Sequence, residues 1–270
     1  MQKDYEHIAG LIAGWRKEKD ATLTVGISGS QGSGKTTLTR ALEKLLTDMH
    51  GLSVVQFSLD DLYKTKAERA QMAKDVHPLF ATRTLPGTHD VPLGLRVFQS
   101  LKHGEKTAIP FFDKSVDDRT LQDTWKIFDG RPDVILFEGW CVGAPPAPEN
   151  EDLNTPLNDF EKTRDPDSAW RRAVDDFLRN DYPPLWREID KLIFIRIPDF
   201  GCVFDWRKQQ EAETFCHAPE NAMTDEDIRN FTGQAERITC RNLSLLSRRA
   251  DAVLHINAAH GIENITHYEA

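Results

Sequence analysis

The sequence predicts an α/β fold, a three-layer α/β/α sandwich with a mainly parallel central sheet. Short apolar segments alternate along the chain with segments of helical spacing, which is typical of βαβ units. The stretch Asp133–Trp140 is almost continuously apolar, as expected of a central strand that is buried on both faces. A glycine-rich turn joins a strand at 23–27 to a helix at 37–49, and α/β sheets bind ligands at such turns. We expect residues 1–270 to form one domain.

Composition excludes several classes of protein. With 39% hydrophobic and 29% charged residues, the chain has an ordinary globular composition. A net charge of −9 argues against a surface that binds nucleic acid. No apolar run is long enough to span a membrane, and the charged segment 1–6 lacks an apolar signal core. The four cysteines form no CxxC pair, so we expect reduced thiols in a cytoplasmic protein without nucleic-acid or membrane partners. The oligomeric state is left open.

The remaining elements follow from apolar periodicity and from the turn residues that bound each segment. Further helices are expected at 8–17, 66–74, 91–102, 170–189 with a break at 182–184, from 204 onward, and 225–248. Further strands are expected at 52–57, 191–197 and 252–256, with a short strand from 108 paired to 124–128. Residues 144–167 are expected to form a connecting excursion or a mobile flap. The strand at 252–256 is expected to be the last, and the tail to trail off near Thr266.

The glycine-rich turn carries the strongest functional signal. It matches the phosphate-binding pattern G-x-x-x-x-G-K-[ST] between a strand and a helix. In this pattern Lys35 reaches the β- and γ-phosphates and the Thr36 hydroxyl binds Mg²⁺. The residues expected to bind the nucleotide are Gly29, Ser30, Gln31, Gly32, Ser33, Gly34, Lys35, Thr36 and Thr37. The sequence therefore predicts a nucleoside triphosphate site.

Carboxylates follow two of the predicted strands. Asp60 and Asp61 come after the strand at 52–57, and Glu138 ends the strand at 133–140. One of the paired aspartates is expected to cap the next helix, while the other, Asp60, orients an acceptor hydroxyl and accepts its proton. A Mg²⁺ contact through water is a second possible role for Asp60. Glu138 stands where a carboxylate organises Mg²⁺, although aspartate is common at that place.

Two polar loops are candidates for the acceptor site. Residues 77–90 contain Arg83, His89 and Asp90, and a planar guanidinium suits a carboxylate. Lys114 and Arg119 follow in the second loop and would add positive charge beside a substrate. The alternative for all five is an ordinary surface role, in ion pairs that contribute little stability.

Six stretches, in order, resemble the D-glycerate 3-kinase family of P-loop kinases. That family is related to uridine kinase, phosphoribulokinase and pantothenate kinase. The stretches are SGSQGSGKTT (28–37), SLDDLY (58–63), ATRTLPGTHD (81–90), PFFDKS (110–115), FEGWCVG (137–143) and WRKQQE (206–211). The resemblance implies a P-loop NTPase fold, with ATP and Mg²⁺ as cofactors and a small hydroxy acid such as D-glycerate as acceptor.

The motifs and the resemblance together predict roles for particular residues. The catalytic residues would be Lys35, Asp60, Glu138 and Arg207. The metal ligands would be Thr36, Asp60 and Glu138. The acceptor region would hold Asp61, Tyr63, Arg83, His89, Asp90, Lys114 and Arg119. Arg207 would belong to a lid-like helical segment at about 199–220. The alternative is that Arg207 lies on a solvated helical face and has no catalytic role.

Other functions stay open. A nucleoside or pantothenate could replace D-glycerate as the acceptor. A nucleotide-dependent switch protein is a rival from another class, but the sequence contains no convincing guanine-reading N/T-K-x-D motif.

Overall fold

The computed structural model describes residues 2–214, 216 and 222–268. Its helices are α1 (Gln2–Glu18), α2 (Lys35–His50), α3 (Lys66–Asp75), α4 (Val91–His103), α5 (Asp159–Arg164), α6 (Ala169–Asn180), α7 (Pro183–Trp186), α8 (Gly201–Thr214) and α9 (Asp225–Leu245). Its strands are β1 (Leu23–Gly29), β2 (Val54–Ser58), β3 (Thr107–Ile109), β4 (Phe112–Asp113), β5 (Asp118–Arg119), β6 (Lys126–Phe128), β7 (Val134–Gly139), β8 (Lys191–Arg196), β9 (Ala252–Ile256) and β10 (Ile262–His267).

The central sheet has the strand order β10-β9-β8-β1-β7-β2. From β9 to β2 every neighbouring pair is parallel, which confirms the predicted mainly parallel sheet. β10 pairs with β9 in the antiparallel direction. The prediction that 252–256 is the last strand is therefore wrong, because the segment 262–267 forms an edge strand beyond it. β10 is an edge strand that is only half-buried. Its sequence therefore does not need, and does not contain, the continuous apolar run that marks a central strand.

Each face of the sheet is covered by helices, which makes three layers. Successive side chains of a strand point to opposite faces, and β7 shows this directly. Ile135 and Phe137 pack into a core with α4, α6 and α7. Val134 and Leu136 pack into a second core with α1 and α2. All six residues of β7 are buried, so the prediction of a central strand covered on both faces is confirmed.

The carboxyl ends of three neighbouring strands bring the sequence motifs together. β1 ends at Gly29, where the glycine-rich turn begins. β2 ends at Ser58, which pairs with Glu138 of β7. Because parallel strands end at the same edge of a sheet, segments 29–37, 58–63 and 137–140 meet there.

Two small two-stranded sheets stand apart from the central sheet. β3 pairs with β6, as the sequence predicted, and β4 pairs with β5. The second pair forms a hairpin, which the sequence indicated only as the alternative to a substrate loop, and it holds residues 114–117 in a loop beside the carboxyl edge. None of the helices within residues 2–214, 216 and 222–268 combines the length and apolar character needed to cross a membrane.

Candidate active site

The glycine-rich turn has a backbone that suits phosphate. Gly32 and Gly34 have φ angles of 79° and 84°, in the left-handed region that glycine adopts without a side-chain clash. Gly34 precedes α2 and gives it no side-chain cap. The first amide groups of the helix are thus free of a capping side chain, and the helix dipole favours an anion at the same place.

Polar side chains of the turn also lack partners. The Oγ atoms of Ser30 and Ser33 and Oε1 of Gln31 are buried, with no hydrogen-bond partner in the part of the chain that the structure describes. Buried polar groups in folded proteins are nearly always hydrogen-bonded. These orphaned atoms are consistent with a polar ligand in the turn.

Lys35, Thr36 and Glu138 lie together beside the turn. The Lys35 ammonium group donates to the Ser30 carbonyl oxygen at 3.3 Å. The Thr36 hydroxyl donates to Oε1 of Glu138 at 2.9 Å. Glu138 is buried, so its carboxylate is held against Thr36 at the end of β7.

Asp60 and Asp61 make different contacts, but neither caps the helix at 66–74 as the sequence predicted, because Thr65 is the N-cap of α3. Both lie in a short 3₁₀ turn, Leu59–Leu62, after β2. Asp61 caps this turn by accepting from the Ser58 amide at 3.0 Å, and it also accepts from the Phe112 amide at 3.3 Å. The Asp60 carboxylate instead accepts from Lys114 at 2.7 Å and keeps 26% of its side chain exposed.

The two aspartates also differ in acidity. Burial raises the pKa of Asp60, but Lys114 and Lys35 outweigh that effect and hold the pKa below its usual value. Burial raises the pKa of Asp61 to about 6, and the amides of Ser58 and Phe112 compensate only in part. Asp60 is therefore the stronger acid of the two, and its carboxylate is ionised at neutral pH.

A cavity of about 1100 Å³ extends from the glycine-rich turn to the second polar loop. It brings together most of the residues that the sequence singled out. The predicted residues on its wall are Gln31, Gly32, Lys35, Thr36, Asp60, Asp61, Tyr63, Arg83, Lys114, Glu138 and Arg207. Three predicted acceptor residues are not on this wall: His89, Asp90 and Arg119.

Arg83 is held in place on the cavity wall. Its Nη1 atom pairs with Oδ1 of Asp117, and its guanidinium lies 5.6 Å from the centre of the Phe112 ring. The other Asp117 oxygen pairs with Nη2 of Arg69 at 3.0 Å, and the Arg69 side chain is fully buried. Burial opposes ionisation of Asp117, but the two arginines lower its pKa below the usual value. Arg83 thus presents a fixed cation to the cavity.

His89 lies behind Tyr63, outside the wall of the large cavity. Its ring stacks on Tyr63 with centroids 4.6 Å apart, and its Nδ1 atom lies 2.5 Å from the Tyr182 hydroxyl. The same hydroxyl accepts from the Gly87 amide at 2.9 Å. Burial lowers the pKa of His89 to about 3, so the imidazole is neutral. His89 supports Tyr63, which faces the cavity.

Asp90 and Arg119 form an ion pair outside the cavity wall. Asp90 caps α4 by accepting from the Leu93 amide at 2.9 Å. Its second oxygen accepts from Nη1 of Arg119, also at 2.9 Å. The described contacts of both side chains are structural, and their contact with an acceptor stays a prediction.

The helix that was expected to carry a lid begins at Gly201. Of the predicted segment 199–220, residues 215 and 217–220 lie outside the described residues. The Arg207 guanidinium reaches the cavity wall and lies 4.9 Å from the Phe231 ring centre. The preceding residue, Trp206, packs so closely on Gly32 that a Cβ at Gly32 would lie 2.9 Å from the Trp206 Cβ.

Sequence reasoning missed several residues around the nucleotide end. His260 lies 2.7 Å from the Gly32 carbonyl oxygen through its Nε2 atom and stacks on Trp206 at 4.3 Å. A second cavity of about 310 Å³ lies there, between α8 and the glycine-rich turn, and Thr37 is on its wall. His260 is 228 residues away from Gly32 in sequence, and no motif marks it.

The acceptor end also has residues that sequence reasoning missed. Trp140 lines the cavity and donates from its indole to the Thr84 carbonyl oxygen at 3.0 Å. Asp117 and Arg69 hold Arg83 as described above. Asp117 stood within a polar loop that the sequence did single out, whereas Arg69 lies in α3, where nothing in the sequence indicated a buried charge.

Comparison with known proteins gives the family. The Phosphoribulokinase / Uridine kinase family model matches residues 24–143. The chain is 34% identical over 229 residues to uncharacterized kinase mug58 of Schizosaccharomyces pombe, a match that covers 80% of this chain and 79% of that protein. It is 32% identical over 222 residues to the chloroplastic D-glycerate 3-kinase of Arabidopsis thaliana, covering 78% of this chain but 46% of that protein.

A solved structure agrees in fold. The D-glycerate 3-kinase of Cryptococcus neoformans var. grubii superimposes with a TM-score of 0.80, covering 99% of each chain at 24% identity. The chain therefore belongs to the phosphoribulokinase/uridine kinase family and has the three-layer P-loop fold of these kinases. The predicted resemblance to D-glycerate 3-kinases is confirmed.

Proposed function

We propose that this protein is an ATP-dependent kinase that transfers the γ-phosphoryl group of ATP to a hydroxyl group of a small hydroxy acid, with D-glycerate as the leading acceptor. One observation carries the proposal. A single cavity joins the phosphate-binding turn to a wall with fixed cations, and the ionised Asp60 stands between them.

The nucleotide end suits a triphosphate with Mg²⁺. Within the described residues no group of three or more His, Cys, Asp or Glu side chains could hold a metal ion. Mg²⁺ in kinases is usually held by one or two protein oxygens together with phosphate oxygens and water, so Thr36 and Glu138 fit this need. When bound, Mg²⁺ would neutralise the charge on the phosphates. Asp60 stays a prediction as a further ligand.

The protein side chains would then organise the transfer. The acceptor oxygen attacks the γ-phosphorus, the bond from that phosphorus to the bridging oxygen of ADP breaks, and the hydroxyl proton passes to Asp60. Lys35 and Arg207 would stabilise the charge on the transferred group. Because Asp60 is ionised and reaches the cavity, it can accept the proton at neutral pH.

The acceptor end supports an anionic substrate. Arg83 and Lys114 both line it, and a planar guanidinium can bond both oxygens of a carboxylate. The names of the Arabidopsis and Cryptococcus relatives agree with an acceptor that carries a carboxylate beside its hydroxyl groups. We therefore place D-glycerate before uridine and pantothenate.

The test measures ADP release by the purified chain with ATP and Mg²⁺. D-glycerate, uridine, pantothenate and ribulose 5-phosphate are each offered as acceptor, and a reaction without acceptor gives the background. We expect turnover with D-glycerate far above background.

The other outcomes distinguish an error in the proposed acceptor from an error in the proposed kinase activity. Turnover on uridine or pantothenate alone would overturn D-glycerate as the acceptor but would support the assignment as a kinase. ATP hydrolysis that no acceptor stimulates would favour a nucleotide-dependent switch and overturn the kinase.

A further inference from the structure

Glu211 is a buried carboxylate that the proposed transfer does not use. It lies on α8 with 4% of its surface exposed, and charged side chains are rarely buried unless they are paired. Its Oε1 atom accepts from Nη2 of Arg207. Its Oε2 atom accepts from the Met223 amide at 3.1 Å. Both oxygens are thus engaged, and one of them holds the guanidinium that faces the cavity.

Arg207 is restrained from three sides. Besides the pair with Glu211, its Nη1 atom donates to Oε1 of Gln210 at 3.1 Å. The guanidinium also lies 4.9 Å from the Phe231 ring centre. A free arginine side chain has many rotamers, and a cation stabilises a transferring group best when it is already oriented. Because of these restraints, Arg207 has little conformational freedom left to lose when the transferring group is bound.

The position of Glu211 also couples two helices to this cation. Met223 lies directly before Thr224, the N-cap of α9. Glu211 thereby connects α8, which carries Arg207, with the start of α9, which carries Phe231. The geometry fixes the guanidinium relative to both helices.

We propose that Glu211 is a positioning residue for the transfer: it holds the Arg207 guanidinium on the cavity wall, aimed at the transferring phosphoryl group, without touching the substrate. This inference rests on the proposed kinase function. The alternative role for this buried carboxylate is only to hold α8 against α9. The two roles predict different kinetics.

The chain offers a matched control for helix docking. Lys208 and Asp225 also join α8 to α9, through an ion pair of 2.8 Å, but their side chains are 54% and 48% exposed. Neither residue is on the wall of the large cavity. Asp225→Asn therefore weakens the same helix pair without releasing Arg207.

The experiment compares steady-state kinetics of the full chain with saturating ATP, Mg²⁺ and the acceptor that gives turnover. Glu211→Gln should lower kcat by about 10- to 100-fold, since misplacing a group by about 1 Å costs about 100-fold, with both KM values within about threefold of wild type. Asp225→Asn should leave kcat unchanged. Arg207→Ala should lose at least as much as Glu211→Gln, and the double variant should lose no more than Arg207→Ala alone.

Three outcomes would overturn the inference while leaving the kinase proposal intact: wild-type kcat in Glu211→Gln, an equal loss in Asp225→Asn, or losses that multiply in the double variant. A second readout does not depend on turnover. The ¹⁵N side-chain resonance of Arg207, identified by its disappearance in Arg207→Ala, should move to the position of exposed arginines in Glu211→Gln. An unchanged resonance would overturn the inference even if no acceptor were turned over, whereas absent turnover in the wild type bears on the kinase proposal alone.

Discussion

The two ends of the cavity are built in different ways. The nucleotide end comes from one continuous stretch, residues 29–37, and a single partner strand that supplies Glu138. The acceptor end comes from residues 60–63, 82–84, 110–117 and 140, and its cations are held by partners far away in sequence. The nucleotide end relies on free amides and orphaned hydroxyl groups, whereas at the acceptor end Arg83 and Lys114 each have an anionic partner.

This difference has a physical origin. Phosphate can be bound by backbone amides and a helix dipole, which a local sequence pattern dictates. The small hydroxy acid that we propose as acceptor offers less charge than a triphosphate, so its recognition would need side chains fixed at particular places. Arg83 with Asp117, and Lys114 with Asp60, show how the acceptor end fixes them.

The largest effect is expected at the carboxylate between the two ends. Asp60→Asn should lower kcat by about 10²- to 10⁴-fold because the general base is lost, while the KM for ATP stays near its wild-type value. Steady-state kinetics measures both. Asp61→Asn, at the neighbouring residue that caps the turn, should cost less than about tenfold. A larger loss at Asp61 than at Asp60 would reverse their assigned roles.

A substitution at the nucleotide end should leave the acceptor end intact. Lys35→Met should lower kcat/KM for ATP by about 10²- to 10³-fold, because one charge-stabilising group is removed. The dissociation constant of D-glycerate, from calorimetry, should change less than about threefold. Lys44→Met, on the exposed face of the same helix, serves as control. Loss of acceptor binding in Lys35→Met would show that the two ends are not separable.

A substitution at the acceptor end should have the opposite pattern. Arg83→Lys should raise the KM for the acceptor by about 10- to 100-fold, since an ammonium group cannot reproduce the planar fork. The KM for ATP should stay unchanged. Arg96→Lys on the exposed face of α4 controls for a general effect of the exchange. Equal changes in both KM values would contradict the division into two ends.

The smallest effect concerns stability and pH. Asp61 has a folded pKa of about 6, above its usual value, so its contribution to stability falls as the pH rises from about 4 to about 6. His89 has a folded pKa of about 3, below its usual value, so its contribution falls as the pH drops below about 6.5. Between about pH 4 and 6 the two slopes oppose each other.

When one of these two groups is removed, the pH dependence of the free energy of unfolding should show the contribution of the other. In Asp61→Asn the free energy of unfolding should decrease on acidification from pH 6.5 to 4, with a slope up to about 1.4 kcal/mol per pH unit steeper than in wild type. Urea unfolding at several pH values measures it, and Asp123→Asn at an exposed position gives the background. Identical slopes in Asp61→Asn and wild type would show that Asp61 titrates at its usual pH.

The contrast between the two ends also explains how much could be predicted. The turn at 29–37 and the strand ending at Glu138 follow from local rules of backbone geometry and burial. The pairing of Arg69 with Asp117 spans 48 residues, and that of His260 with Gly32 spans most of the chain. Such contacts depend on how separate elements pack, which no spacing in one sequence encodes. β10 was not predicted for the same reason. An edge strand is stabilised by pairing with its neighbour, here β9, and this pairing leaves no apolar run in the sequence.

The most direct test compares D-glycerate with glycerol, which lacks the carboxylate but keeps hydroxyl groups. ADP release with ATP and Mg²⁺ gives kcat/KM for each acceptor. If the cations of the acceptor end recognise a carboxylate, D-glycerate should be preferred by about 10²-fold or more, because glycerol offers no carboxylate for the fixed Arg83 guanidinium to bond. Equal kcat/KM values for the two compounds would contradict the account.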